Sequence, residues 1–469
     1  MQSSLFQQGT IELNTNTSEK TAKKEILCYE IMHGEKKVAE INTRGEAHIL
    51  NEKFLPYDLY LEEDVDFDTL LNNIDNFYHW CASRVLSLDR QYAKEILNSI
   101  GMAQAMTDRD RAKISLSYHC VSLTDIYWVK KREEDISYAK INLYDHSLNE
   151  AVVELSLRGR SMTVTNQELA QDLSTKGCFP KAWIRKGKDF ILLKDGGEDV
   201  VQKELLASRL CQCFGFKQVK YKEAFYDGQK VTQSRIVTTK KRSIVSKMAF
   251  EIYAENHDLN VLEECLRIDK ETYYGMNILD YLVGNVDRHP ENWGMLVDNE
   301  TNDYISLYPI MDFNQSFGSY DTIDGANCQT VYPLRKTQRE AAIDAVHCVG
   351  LRQIKEIDEA LFEDKTAWKT MFFRRLEELK NEDHKKQSQN DIDRDQTGRL
   401  NSDSGAIFHE RCRNLPICER KRTLDRGASA KSEGTSAGDK SSSEADDGRS
   451  RAAGRPCIKS DTGKGQSLC

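Results

Sequence analysis

Asp287, Asn292 and Asp312 are the residues whose types and spacing could do chemistry. Asp287 and Asn292 stand five residues apart in Gly284-Asn285-Val286-Asp287-Arg288-His289-Pro290-Glu291-Asn292-Trp293-Gly294. That stretch follows an amphipathic helical pattern and precedes the apolar run Met295–Val297, so it reads as a loop between helix and strand. The apolar stretch Ile305–Met311 then reads as a strand ending in Asp312-Phe313. Phosphoryl transfer needs a carboxylate near the incoming hydroxyl and oxygen ligands for Mg²⁺ on the nucleotide phosphates. Asp287 fits the base or hydroxyl-orienting role, and Asn292 and Asp312 fit the metal. The competing reading is a capped loop whose Asp and Asn bond only the backbone. His289 either supports Asp287, since histidine titrates near neutrality, or is a packed scaffold residue.

Upstream, Phe190, Leu192 and Lys194 alternate onto one face of a strand, so Lys194 ends an apolar run as a cation suited to phosphates. Ten residues on, Glu204 shares a helix face with Val200, Ala207 and Cys211. A carboxylate on an apolar stripe needs a partner, and Lys194 is the expected one, with Glu198 as rival. The alternative leaves Lys194 at a solvated strand end and Glu204 on a wet face.

The set NxDRHxxNxG, followed about twenty residues later by a strand ending in Asp-Phe, resembles the catalytic loop and metal-binding Asp of HipA-like (CtkA-like) serine/threonine kinases. The DRHxxN form is also similar to that of phosphatidylinositol kinases. Ser174–Lys181 is neither a Walker loop nor GxGxxG, but it is similar to the HipA-like phosphate-binding loop. There Gly177 would let the backbone approach the phosphates and Lys181 would add charge; otherwise it is an ordinary helix-to-strand loop. The resemblance covers about Asp172–Leu379 and implies an α+β, bilobal kinase-like fold of bacterial type, with ATP and Mg²⁺ between the lobes and a protein Ser/Thr as acceptor. Lys194 and Glu204 would then match the strand-lysine and helix-glutamate pair of kinases. A lipid or small-molecule kinase and a catalytically silent kinase-fold binding protein are the alternatives.

These residues need elements to place them. Residues 1–150 read as an α+β accessory region outside the resemblance, with β-like runs Ile26–Ile31, Val38–Ile41 and Ala47–Leu50, a helix over Leu70–Leu88 and another over Tyr92–Ile100. Residues 151–240 read as a small β-rich lobe. Its hairpins, Ala182–Ile184 with Phe190–Leu193 and Val219–Phe225 with Val231–Val237, turn at Gly187-Lys188 and Asp227-Gly228 around a helix over Glu198–Phe214. Residues 241–379 read as a mainly helical catalytic lobe, with helices over Arg339–Val349 and Ile354–Leu379. Lys380–Cys469 is rich in Ser, Asp, Lys, Arg and Gly without apolar periodicity, the composition of a disordered tail.

Composition narrows the class. An apolar fraction of 39% and a charged fraction of 30% describe a globular chain, and no apolar run is long enough to span a bilayer. The polar N-terminus lacks a secretory signal pattern, and thirteen scattered cysteines without a CxxC pair read as reduced thiols, so a cytoplasmic setting is expected. A net charge of −9 argues against general nucleic-acid binding.

Overall fold

The computed structural model describes residues 26–85, 107–145, 180–187, 189–318, 320–331 and 335–397. Gly177, the expected helix Tyr92–Ile100 and the chain beyond Thr397 lie outside the described residues. What is described is mixed α/β: three antiparallel sheets and eight helices among those residues.

The first sheet is built from β1 (Cys28–His33), β2 (Lys36–Asn42) and β3 (Ala47–Ile49), close to the expected runs, with β4 (Tyr127–Lys131) on the other side of β1. Helix α1 (Phe67–Ser83) starts where the Asp66 carboxylate accepts the backbone N–H groups of Asp68 and Thr69. It buries Phe77, Trp80 and Cys81 in the same cluster as Ile31, Val38 and Ile41 of the strands. Its end at Ser83 falls short of the expected Leu88. Two further helices follow, α2 (Asp108–Ser117) and α3 (Tyr138–Ile141).

The second sheet carries Lys194. β5 (Lys181–Lys186) and β6 (Asp189–Lys194) form one hairpin, β7 (Lys222–Tyr226) and β8 (Gln229–Arg235) the other, in the order β5-β6-β8-β7. Helix α4 (Glu198–Cys211) connects them. Lys181 pairs with Lys194 across β5–β6, and Lys194 with Thr232 across β6–β8, so these three residues line up on one face.

The third sheet, β9 (Arg242–Ser246), β10 (Gly294–Asp298) and β11 (Tyr304–Leu307), contains the two strands expected around Met295–Val297 and from Ile305, and adds an unexpected β9. β9 pairs with β10 along its whole length, and a Cβ on Gly294 would lie 2.1 Å from Val245 O, so that pairing needs glycine. Helices α5 (Lys247–Asn256), α6 (Val261–Val283), α7 (Gln338–Val349) and α8 (Thr366–Thr397) make up the rest. In α6, Asn260 caps the start and Asp269 caps a second start at a kink by accepting the Thr272 N–H. Its last two turns are buried all round, with Met276, Ile278, Leu279, Tyr281, Leu282 and Val283 in the central core.

Two further expectations fail in the C-terminal part. The helix expected from Ile354 begins only at Thr366; Ile354 and Lys355 instead donate their N–H groups to Cys213 O. The tail expected from Lys380 is still helix, since α8 continues to Thr397. Glu382 ties that stretch to His347 of α7 at 3.1 Å and to Lys385 at 2.7 Å, polar contacts that an apolar-periodicity criterion does not register.

Residues 26–145 touch both halves of the site's scaffold. Phe190 and Trp183 from the second sheet, and Ile236 just after it, pack into the cluster of Met32, Trp128 and Tyr138. On the other side, Tyr57 sits 4.8 Å from the Tyr253 ring and donates its hydroxyl to Asn302 O at 2.7 Å. Among the described residues no helix is long and apolar enough to cross a membrane.

Candidate active site

α6 stops at Gly284, whose left-handed φ of +64° lets its N–H and that of Asn285 fold back on Tyr281 O and Asp280 O. The chain then runs through Asp287 to Asn292 and enters β10 at Gly294. Asn285 accepts the Asp287 N–H at 3.3 Å, and Asn292 Nδ2 donates to Asp287 O at 2.8 Å. With the amide nitrogen of Asn292 committed to the loop, its Oδ1 is the atom left to act as an outside ligand. The His289 ring accepts the Glu291 N–H at Nδ1, while its Nε2 stands 3.9 Å from Asp287 Oδ1, beyond hydrogen-bond reach. His289 thus bonds the loop backbone at one ring nitrogen and faces Asp287 with the other.

Asp312 is delivered differently from expectation. The strand ends at Leu307, not Met311: Tyr308 N still donates to Gly294 O of β10, but from Ile310 the chain pairs with another segment, Ile310 N donating to Lys217 O and Val219 N to Ile310 O. Asp312 itself has a left-handed φ of +64°, a conformation that costs a non-glycine residue energy and needs surrounding contacts to hold it. Those contacts are present: Asp312 N donates to Tyr221 Oη at 3.0 Å, and Asp312 O accepts Asn285 Nδ2 at 3.1 Å.

The Lys194 ammonium lies 2.8 Å from Glu204 Oε1 and 2.8 Å from Asp312 Oδ1. It thus joins the second sheet, α4 and the Asp312 segment in one buried group. Glu204, 2% exposed, also accepts the Thr232 hydroxyl at 2.5 Å, whereas the rival Glu198 bonds Gln202. Lys181, opposite Lys194, is near enough to act on the Asp312 charge. Lys194, Glu204, Lys181 and Asp312 are therefore brought together, and Asp287 and Asn292 lie on the loop bonded to Asp312 through Asn285.

Burial alone pushes the Asp312 carboxyl up, but Lys194, then Lys181 and Arg288, outweigh it and hold its pKa at about 2. Burial disfavours the charge on Lys194, and the Asp312 and Glu204 carboxylates reverse this and raise its pKa well above the ordinary lysine value. Glu204 is raised, chiefly by burial with Lys194 opposing. Asp287 is also raised: burial leads, His289 opposes, and the Asp312 charge adds to the rise. A carboxylate destined to take up a proton gains from such a rise, and one destined to hold a cation from the opposite shift.

The donor set suits magnesium held together with a nucleotide. The Asp312 carboxylate and Asn292 Oδ1 are hard oxygen ligands, and Mg²⁺ usually takes one or two such protein ligands plus phosphate oxygens. Among the described residues no group of three or more His, Cys, Asp or Glu is gathered for a metal.

Solved structures include two that this chain is similar to. The crystal structure of the Helicobacter pylori proinflammatory kinase CtkA matches at 16% identity and a TM-score of 0.35, covering 45% of this chain and 93% of that one. A chain from the HipA, HipB and operator DNA complex of the Shewanella oneidensis MR-1 toxin–antitoxin system matches at 12% identity and a TM-score of 0.45, covering 76% of this chain and 99% of that one. No family model matches the sequence, and no curated protein matches it.

Sequence reasoning missed Asp280, Asn285, Arg288 and Tyr221. Asp280 carried a signal, a lone carboxylate between Leu279 and Tyr281 in an apolar run. Arg288 and Asn285 stood inside the motif with no role assigned. Tyr221 had none, because its bond to Asp312 spans 91 residues.

Proposed function

We propose that the chain is an ATP- and Mg²⁺-dependent phosphotransferase with a protein serine or threonine hydroxyl as acceptor. The observation that carries this reading is the Lys194 ammonium held 2.8 Å from both Glu204 and Asp312, beside a loop that presents Asp287 and Asn292. In this reading the fold is two-lobed, with nucleotide between the second sheet and the Asp287 loop. Glu204 holds Lys194 in place, and Lys194 and Lys181 donate to phosphate oxygens. Gly177 belongs to the same phosphate-binding loop by resemblance. Asn292 Oδ1 and the Asp312 carboxylate would hold magnesium, which neutralises phosphate charge when bound. Asp287 orients the acceptor hydroxyl and takes its proton, helped by a carboxyl pKa already raised by burial.

Purified protein incubated with γ-labelled ATP, Mg²⁺ and a mixture of protein acceptors tests the proposal. Label should move to protein in the parent and fall by about a hundredfold or more in Asp287→Ala. Equal labelling by parent and variant would remove Asp287 from the mechanism, and transfer only to lipid or a small molecule would replace the acceptor class.

A further inference from the structure

Behind the loop lies a buried ion pair that touches neither nucleotide nor acceptor in the proposed mechanism. Arg288, 2% exposed, donates from Nε to Asp280 Oδ2 at 2.8 Å and from Nη2 to Asp280 Oδ1 at 2.8 Å. Its remaining nitrogen, Nη1, donates to Asn292 O at 3.1 Å and to Met311 O at 2.5 Å. One planar side chain therefore grips the backbone of Asn292 and the peptide just before Asp312, the two positions that offer oxygens for a metal. Asn285 closes the arrangement from the other side, donating from Nδ2 to Asp280 Oδ1 at 3.0 Å and to Asp312 O at 3.1 Å. The peptides flanking the strained Asp312 are thus fixed at both carbonyls, and Asp280 anchors the whole group to α6.

A buried ion pair is weak grounds for stability, because apolar side chains of similar volume often do as well. What apolar side chains lack is a rigid fork with separate donors for two chain segments. We propose that Asp280 and Arg288 are positioning residues for phosphoryl transfer: the pair sets the spacing between Asn292 and Asp312 and so the geometry in which magnesium–nucleotide is held. This rests on the phosphotransferase reading.

The test uses the full chain with Mn²⁺ as a spectroscopic stand-in for Mg²⁺ and a non-hydrolysable ATP analogue. Metal affinity is read by electron paramagnetic resonance and nucleotide affinity in chelator by calorimetry. Arg288→Lys keeps the charge beside Asp280 but lacks the fork, and Asp280→Leu/Arg288→Met removes the pair while filling its volume. Both should weaken nucleotide-dependent metal binding about 10–100-fold, the range for residues that orient metal ligands. Nucleotide affinity in chelator and the acceptor KM should stay near parent values, while the Mg²⁺ needed for half-maximal turnover rises. Unchanged metal affinity in either folded variant would overturn the proposal. So would failure of both to fold, which would make the pair a folding element. If the parent itself binds no Mn²⁺ with the analogue, it is the phosphotransferase reading that falls.

Discussion

Replacing Lys194 with methionine, in the absence of nucleotide and metal, should destabilise the protein in a pH-dependent way. Lys194 is 8% exposed and neutralises two carboxylates at 2.8 Å, so Lys194→Met strands Glu204 and Asp312 in a poorly hydrated site. Breaking a buried pair by removing one partner costs about 3–5 kcal/mol. At roughly 2–4 °C per kcal/mol for a chain of a few hundred residues, the melting temperature at pH 7 should fall on the order of 10 °C. In the parent, Asp312 titrates near 2, below the unfolded value of about 4, so its contribution is present above pH 4 and lost as pH falls from there towards 2. That contribution is on the order of 2–3 kcal/mol for a shift of this kind. In Lys194→Met the largest force lowering the Asp312 pKa is gone and burial shifts the carboxyl upward, so it takes up its proton at a higher pH than in the parent. The stability gap between parent and variant should therefore narrow as pH is lowered from 7 to 4. Adding Glu204→Gln should recover part of the loss, since coupled neighbours are non-additive by about 0.5–3 kcal/mol. Melts followed by circular dichroism across that range decide it. A gap that stays constant with pH, or no gap at pH 7, would refute the reasoning.

Asp312→Asn should weaken Mg·ATP binding more than nucleotide binding in chelator, and calorimetry giving equal losses in both conditions would count against its metal role. Lys194→Met should lower nucleotide affinity by about 1–3 kcal/mol, the range for charge-assisted hydrogen bonds, as read by the same titrations. A chain ending after Thr397 should keep its melting temperature, whereas one ending at Leu379 should melt a few degrees lower, because it loses the Glu382 contact to His347. Equal melting of the two would show that the last turns of α8 add nothing.

The parts of the fold legible in the sequence are those decided locally. The hairpins at Gly187 and Asp227-Gly228 come from turn residues flanked by apolar runs, and the Lys194–Glu204 pair from two periodicities, one ending an apolar strand in a cation and one setting a carboxylate on an apolar helix face. The Asp287–Asn292 segment was legible as a loop because an amphipathic pattern precedes it and the apolar run Met295–Val297 follows it, and these become α6 and β10. What escaped was decided by distant contacts. Ile354 and Lys355, at the expected start of a helix, are instead bonded to Cys213, a contact that spans more than 140 residues. β9 forms because β10 is there to pair with it, and Asp312 reaches its place through Lys217 and Val219 rather than through a longer β11. The seat of Tyr57 against Asn302 joins residues 245 apart, with no local mark at either end.

The most direct test of the central claim is mass spectrometry of the products after incubation with ATP and Mg²⁺, run in parallel on the parent, Asp287→Ala and Asp312→Asn. The account predicts phosphoserine or phosphothreonine on protein in the parent sample and near-complete loss of it in both variants. A parent that binds Mg·ATP yet phosphorylates nothing, or modification that persists undiminished in both variants, would contradict it.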